Sequence, residues 1–175
     1  MEYIEACRNT DCGLKQDDLK IALIGHSAGG IVIRQALVLA EQEALDVYKA
    51  AELVKLIILI VSPSNGSPVI PEWLLRPIPN VLEDVSFLSR QIIDLCCQSS
   101  FINKLNSEWE IFKKSRSNFE ARCIYASSDP FAPAPPKGEC IIDNQAITIL
   151  NTNHNDILNN CHNEVKTILD NNGFK

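Results

Sequence analysis

The chain has 175 residues, enough for one domain with a real core, and 46% hydrophobic with 22% charged residues is ordinary for a globular protein. A formal net charge of −6 with no Lys/Arg cluster argues against a nucleic-acid surface, because phosphate recognition needs a basic face. The longest aliphatic run, Leu56 to Val61, is far too short to span a bilayer, and MEYIEACRNTD lacks the basic and apolar regions of a signal peptide.

In chain order, Met1 to Arg8 reads as a helix followed by a loop. Ile21 to Ile24 is short and apolar, as a buried parallel strand is. From Ile31 to Tyr48 the pattern becomes that of a mostly buried helix, with Arg34, Gln35, Glu41 and Gln42 spaced along it. The junction between them is Gly25-His26-Ser27-Ala28-Gly29, followed by Gly30. This is G-x-S-x-G between a strand and a helix, the nucleophile elbow. Gly25 and Gly29 are expected to let the two backbones approach while Ser27 takes a strained conformation. A serine hydroxyl is a poor nucleophile unless a base reaches its proton and backbone donors hold the resulting oxyanion. The turn exposes Ser27 to both, and it aims the N–H of Ala28 at the place where negative charge develops.

Leu56 to Val61 reads as the second strand. Residues 68–118 read as a helical cap inserted into the domain. Trp73-Leu74-Leu75 and the prolines 68, 71, 77 and 79 precede two amphipathic patterns, Leu82, Val85, Leu88, Ile92, Leu95 and then Phe101, Leu105, Trp109, Phe112. Core packing is favoured over ligand contact for most of these side chains. Strands at Ala121 to Ala126 and Ala146 to Leu150 follow. A closing helix spans Ile157 to Leu169, with Asn155 or Asp156 available to cap it. Short apolar runs alternating with helical segments imply an α/β fold, a mostly parallel sheet with helices on both faces, in a single domain 1–175.

Seven cysteines, at positions 7, 12, 96, 97, 123, 140 and 161, form an odd set without C-x-x-C spacing. That suits reduced thiols in a cytoplasmic protein better than a disulfide framework. His154, Cys161 and His162 do not have zinc-site spacing, so neither a metal nor another cofactor is expected.

The base for Ser27 must come from three histidines. His26 adjoins the nucleophile on a sharp turn, where neighbouring side chains point apart, so it is expected to support the turn. His162 falls within the closing helix, as a surface residue. His154 lies in a polar loop just after the last strand, and catalytic groups of open α/β sheets gather at the carboxyl ends of strands. The imidazole then needs a carboxylate to hold its tautomer. Asp129, in Ser127-Ser128-Asp129-Pro130 just beyond a strand end, is the first candidate and Asp143 the second. Asp156 is better placed for helix capping.

The order Ser27, Asp129, His154 is that of the α/β-hydrolase superfamily. More narrowly, GHSAGGIVIRQAL, the strand running into SPSNGSP, the segment SSFINKLNSEW, and SSDPFAP followed by NHNDI resemble lipase-like serine esterases related to GPI inositol-deacylases. The likeness covers roughly residues 15–170 and corresponds to the C-terminal half of that fold. One departure is Ser62-Pro63-Ser64, where such families usually carry threonine-proline-histidine. Another is that the resemblance implies strands and a second oxyanion donor upstream of the elbow, for which the stretch before Ile21 is too short.

The resemblance implies a serine esterase or lipase-like hydrolase, with Ser27 as nucleophile, His154 as base, Asp129 as its orienting acid and Ala28 N–H as oxyanion donor. The substrate would be a small-molecule ester or a lipid, and membrane association through upstream sequence is compatible with that. A weakly active or inactive remnant that works as a binding module is the alternative, since half an oxyanion hole and an open, self-associating sheet edge would follow from the missing strands. A peptidase or thioesterase on the same residues stays open, because these reactions share acyl-transfer chemistry.

Overall fold

In a computed structural model of the chain, the described residues are 19–42, 51–69, 94–135 and 147–174. The first strand, β1, is Ile21–His26, and the helix α1, Ala28–Gln42, follows after one residue. The helix therefore starts three residues earlier than the apolar pattern suggests, because the small residues Ala28, Gly29 and Gly30 form its first turn. Strand β2 is Val54–Ile60, helix α2 is Ser100–Ser115, strand β3 is Glu120–Ala126 and strand β4 is Ile147–Leu150. The chain closes with α3, Ile157–Asn160, and α4, His162–Asn171, so the expected single helix is broken at Cys161.

The four strands form one parallel sheet in the order β1-β2-β3-β4, with Ile24 opposite Ile58, Ile58 opposite Arg122, and Tyr125 opposite Ile149. This is the α/β architecture that the alternation of apolar runs and helices implies. Every residue of β2 except Lys55 is buried, as expected of an inner strand covered on both faces. Alternate residues of that strand feed two cores. Ile57 and Leu59, with Cys123 and Tyr125, pack against Ile31, Leu37 and Val38 of α1 and Ile102, Leu105, Trp109 and Phe112 of α2. Leu56, Ile58 and Ile60, with Ile124 and Ala126, pack against Ile157 and Cys161, with Val165, Ile168 and Leu169 of α4 closing that side. Among the described residues, β1 and β4 are the sheet's edges, and Ile24 and Ile149 are half exposed there.

Helix α2 falls within the span 68–118 read as a cap, and it packs on α1 and the sheet through its apolar stripe. Trp109 stacks on Phe112 with ring centroids 5.0 Å apart, and Phe119 meets both edge-on. The Ser99 hydroxyl caps the helix by accepting from Ile102 N–H at 3.1 Å, and Lys113 and Lys114 lie in its last turn, where the helix dipole favours cations. The rest of the expected cap, residues 70–93, lies outside the described residues, as do Met1 to Arg8 and the C-terminal part of the helix expected to reach Tyr48.

Arg34 looks like a polar-face residue of α1 in sequence, yet it is fully buried. Its guanidinium donates to Asn106 Oδ1 at 2.7 Å and to the Ser64 carbonyl at 3.4 Å, and it lies over the Trp109 ring at 5.2 Å. These contacts offset part of the desolvation that burying a cation costs. They also tie α1 to α2 and to the loop after β2.

Candidate active site

The site is built at the carboxyl ends of β1, β3 and β4. Ser27 occupies the single residue between β1 and α1 with φ of 51°, a left-handed conformation that a residue with a Cβ adopts only under constraint. The constraint is visible on both sides. Ser27 N–H donates to the Ile60 carbonyl at 2.9 Å, continuing the β1–β2 ladder, and its own carbonyl accepts from Gly30 N–H at 3.1 Å, starting the helix.

The crowding at this turn falls on Gly25 and Gly30. A Cβ on Gly25 would lie 2.8 Å from Gly30 Cα, and one on Gly30 would lie 2.7 Å from Ser62 Cβ. A Cβ on Gly29 would meet nothing within 4 Å. The close approach expected of Gly29 therefore belongs to Gly30, because the first turn of α1 lays that residue, and not its neighbour, against the end of β2.

His154 sits in the loop between β4 and α3, and Asp129 in the loop after β3. Both are buried. His154 Nδ1 lies 2.6 Å from Asp129 Oδ2 and His154 Nε2 lies 3.2 Å from Ser27 Oγ. The other oxygen of Asp129, Oδ1, accepts from Phe131 N–H at 2.8 Å and Ala132 N–H at 3.1 Å. An ionised carboxylate can only accept, so opposite an ionised Asp129 the shared proton would be carried by His154 Nδ1, and Nε2 of a neutral ring would then accept from the Ser27 hydroxyl. The loops after β3 and β4 are pinned to each other by Ser127 N–H donating to the Leu150 carbonyl and Ser128 N–H to the Thr152 carbonyl.

His162 is exposed at the start of α4. Asp143 lies outside the described residues. Asp156 stands at the N-cap of α3 but makes no capping bond there; its carboxylate takes the Asn153 side-chain amide at 2.7 Å. Asn153 Oδ1 accepts instead from the N–H groups of Asn155 and Asp156. A neighbour of His154 that the sequence does not signal is Phe131. Its ring meets His154 edge-on with centroids 5.4 Å apart, and no periodicity marks a loop aromatic of this kind.

Ala28 is exposed and is the first residue of α1, so its N–H has no acceptor inside the helix. It also borders an apolar cavity of about 280 Å³ lined by Ile31, Val32, Leu95, Phe101 and Asp94. The cavity thus opens beside the turn that carries Ser27.

The PGAP1-like alpha/beta domain family matches residues 2–95, more than half of the chain. The chain belongs to this family. That places it in the α/β-hydrolase superfamily, as the elbow and the accompanying motifs imply. No curated protein matches the chain. Among solved structures it is similar to the phospholipase PlaB from Legionella pneumophila in complex with thio-NAD, at 18% identity and a TM-score of 0.45, over 73% of this chain and 25% of that one. It is also similar to a monoacylglycerol lipase from Paleococcus ferrophilus, at 14% identity and a TM-score of 0.46, over 98% and 74% of the two chains. An alpha/beta fold family hydrolase from Bacillus anthracis str. Sterne follows, at 16% identity and a TM-score of 0.43, over 98% and 72%. The chain spans a quarter of the length of the Legionella phospholipase. No helix among the described residues is long and apolar enough to cross a membrane.

Proposed function

We propose that this chain carries a serine hydrolase site for carboxylic esters, including those of lipids. Ser27 is the nucleophile, His154 the general base and acid, and Asp129 the group that orients His154 and stabilises its charged form. Ser27 Oγ attacks the ester carbonyl as its proton passes to His154 Nε2. The oxyanion forms next to the N–H of Ala28 at the positive end of α1. His154 then returns the proton to the leaving alcohol as the carbonyl–oxygen bond breaks, which leaves an acyl group on Ser27. A water that gives its proton to His154 releases the acid and restores the serine.

The observation that carries this reading is the unbroken line of contacts from Ser27 Oγ through both nitrogens of His154 to Asp129 Oδ2. Three further features support it: the left-handed backbone at Ser27, the unpaired N–H expected at Ala28, and the apolar cavity beside it, which suits the acyl part of an ester.

Turnover of p-nitrophenyl esters of graded acyl length by the wild type, Ser27→Ala and His154→Ala tests the reading. Both variants are expected to lose at least about 10⁴-fold in kcat. Turnover by Ser27→Ala at the wild-type rate would overturn it.

A further inference from the structure

The apolar cavity beside Ser27 lies between two helices that run in the same direction. Arg34 of α1 donates to Asn106 of α2 at 2.7 Å, and further along the same pair Ser115 donates to Glu41 at 3.1 Å. Counting back six residues from Arg34 and six from Asn106 brings Ala28 level with Ser100, so the first turns of α1 and α2 stand side by side. The cavity of about 280 Å³ is lined by Ala28, Ile31 and Val32 of α1, by Phe101 of α2, and by Asp94 and Leu95 from the residues before α2.

Its walls differ in how firmly they are held. Ile31 is buried, and Leu95 and Phe101 are partly buried against the core that α1 and α2 share with the sheet. Leu95 is also fixed through its carbonyl, which accepts from Ser67 N–H at 2.8 Å. Val32 is 67% exposed, so it forms a rim on the solvent side and not part of the floor. Ile31 and Val32 follow Ala28 by three and four residues, which puts them on its face of the helix, one turn or about 5 Å further from Ser27. An acyl group on Ser27 whose carbonyl oxygen faces Ala28 N–H therefore has a preformed apolar path between the two helices. Among the described residues Asp94 is the one charged member of the lining, which favours an uncharged chain over one ending in a carboxylate.

We propose that this cavity measures the acyl chain in the reaction assigned to Ser27: it takes up about the first nine carbons of a straight, uncharged acyl group, and Val32 and Phe101 set that limit. The proposal rests on the roles given above to Ser27, His154 and Asp129. A methylene group fills about 30 Å³, close to the share of one molecule in liquid water, so a space of about 280 Å³ holds about nine carbons. Each methylene drawn from water into that space raises kcat/KM by about four-fold. Once the cavity is full, further carbons pass the exposed Val32 into solvent and add nothing.

Kinetics of p-nitrophenyl esters from acetate to palmitate, at concentrations below micelle formation, provide the test in the full chain. For the wild type, kcat/KM is expected to climb up to about the nonanoate ester and then to stay level within about two-fold. A flat profile from acetate onward, or a climb that continues to palmitate, would overturn the proposal. Val32→Trp fills the cavity from an exposed position that tolerates a large side chain, and it is expected to lower the decanoate-to-acetate ratio of kcat/KM by at least about 10-fold. Phe101→Ala is expected to move the levelling point to chains longer by about three carbons. Leu39→Trp, exposed on the same helix but outside the cavity, is the control. An unchanged ratio in Val32→Trp, or an equal fall in Leu39→Trp, would overturn the proposal. Calorimetry with octanamide reads the cavity without turnover, and Val32→Trp is expected to raise the Kd of this probe by at least about 10-fold. Failure of the site reading is seen separately, as turnover that survives Ser27→Ala, while octanamide binding still reports on the cavity.

Discussion

The Asp129 carboxylate divides its two oxygens between two tasks: Oδ2 meets His154 Nδ1 at 2.6 Å, while Oδ1 is held by the backbone N–H groups of Phe131 and Ala132. The loop after β3 therefore fixes the carboxylate that meets His154. An amide at this position keeps an acceptor for the two backbone donors but turns an N–H₂ toward Nδ1–H, which forces His154 into the other tautomer. Asp129→Asn is expected to lower kcat by about 10²- to 10⁴-fold with little change in KM. Asp143→Asn is expected to stay within a few-fold of wild type; steady-state kinetics on both variants compare them, and a larger loss at Asp143 would transfer the role.

The backbone at Ser27 carries strain that the hydroxyl does not relieve. With φ of 51°, any side chain there has its Cβ crowded, and the left-handed region costs a non-glycine residue about 1–2 kcal/mol. Ser27→Gly is therefore expected to be more stable than Ser27→Ala by about 1 kcal/mol, read from urea unfolding midpoints at equal m-values. Both should be inactive. Equal stability of the two would mean that the turn is not strained.

Gly29 and Gly30 should respond oppositely to the same change. Gly30→Ala drives a methyl group into Ser62 and should cost about 1–3 kcal/mol, whereas Gly29→Ala enters open space in a helix and should stabilise by up to about 1 kcal/mol. Thermal unfolding of the two variants distinguishes them. Destabilisation by Gly29→Ala as large as that by Gly30→Ala would contradict the packing described for the elbow.

Much of this arrangement is legible in the residues because it rests on local signals. The four apolar runs that become β1 to β4 are short and bounded, and the elbow is a fixed spacing of small residues around Ser27. Asp129 and His154 are singled out in the sequence by their position after strands and by the scarcity of histidines. What was not legible depends on contacts between distant segments. Nothing local says that Arg34 is buried over Trp109, that Gly30 rather than Gly29 meets the end of β2, or that Phe131 stands against His154. The break at Cys161 and the turn that Asn153 Oδ1 closes on the N–H groups of Asn155 and Asp156 also lie in loop geometry that apolar periodicity does not encode.

At the other end of the sheet, Arg116 donates to Glu41 through Nε at 3.1 Å and Nη2 at 2.6 Å, and Ser115 donates to the same carboxylate. The Arg116 hydrogen bond is the main cause that lowers the Glu41 pKa below 4.5. A carboxylate with a depressed folded pKa adds stability above its unfolded pKa and loses it as the pH falls through the folded value. Because the Glu41 side chain is 37% exposed, solvent screening keeps the contribution small, about 0.5 kcal/mol. Glu41→Gln is expected to be less stable than wild type by that amount at pH 7 and equal to it once the pH is well below 4.5. A gap that persists in acid would assign the effect to packing instead.

The central claim is that Ser27 is an activated nucleophile, and covalent trapping tests it most directly. The wild-type chain is treated with a fluorophosphonate, its intact mass is measured, and the modified peptide is sequenced. The account predicts a single adduct on the peptide containing Ser27, no adduct on Ser27→Ala, and labelling slowed by at least about 100-fold in His154→Ala. An adduct on another residue, or equal labelling of Ser27→Ala, would contradict it.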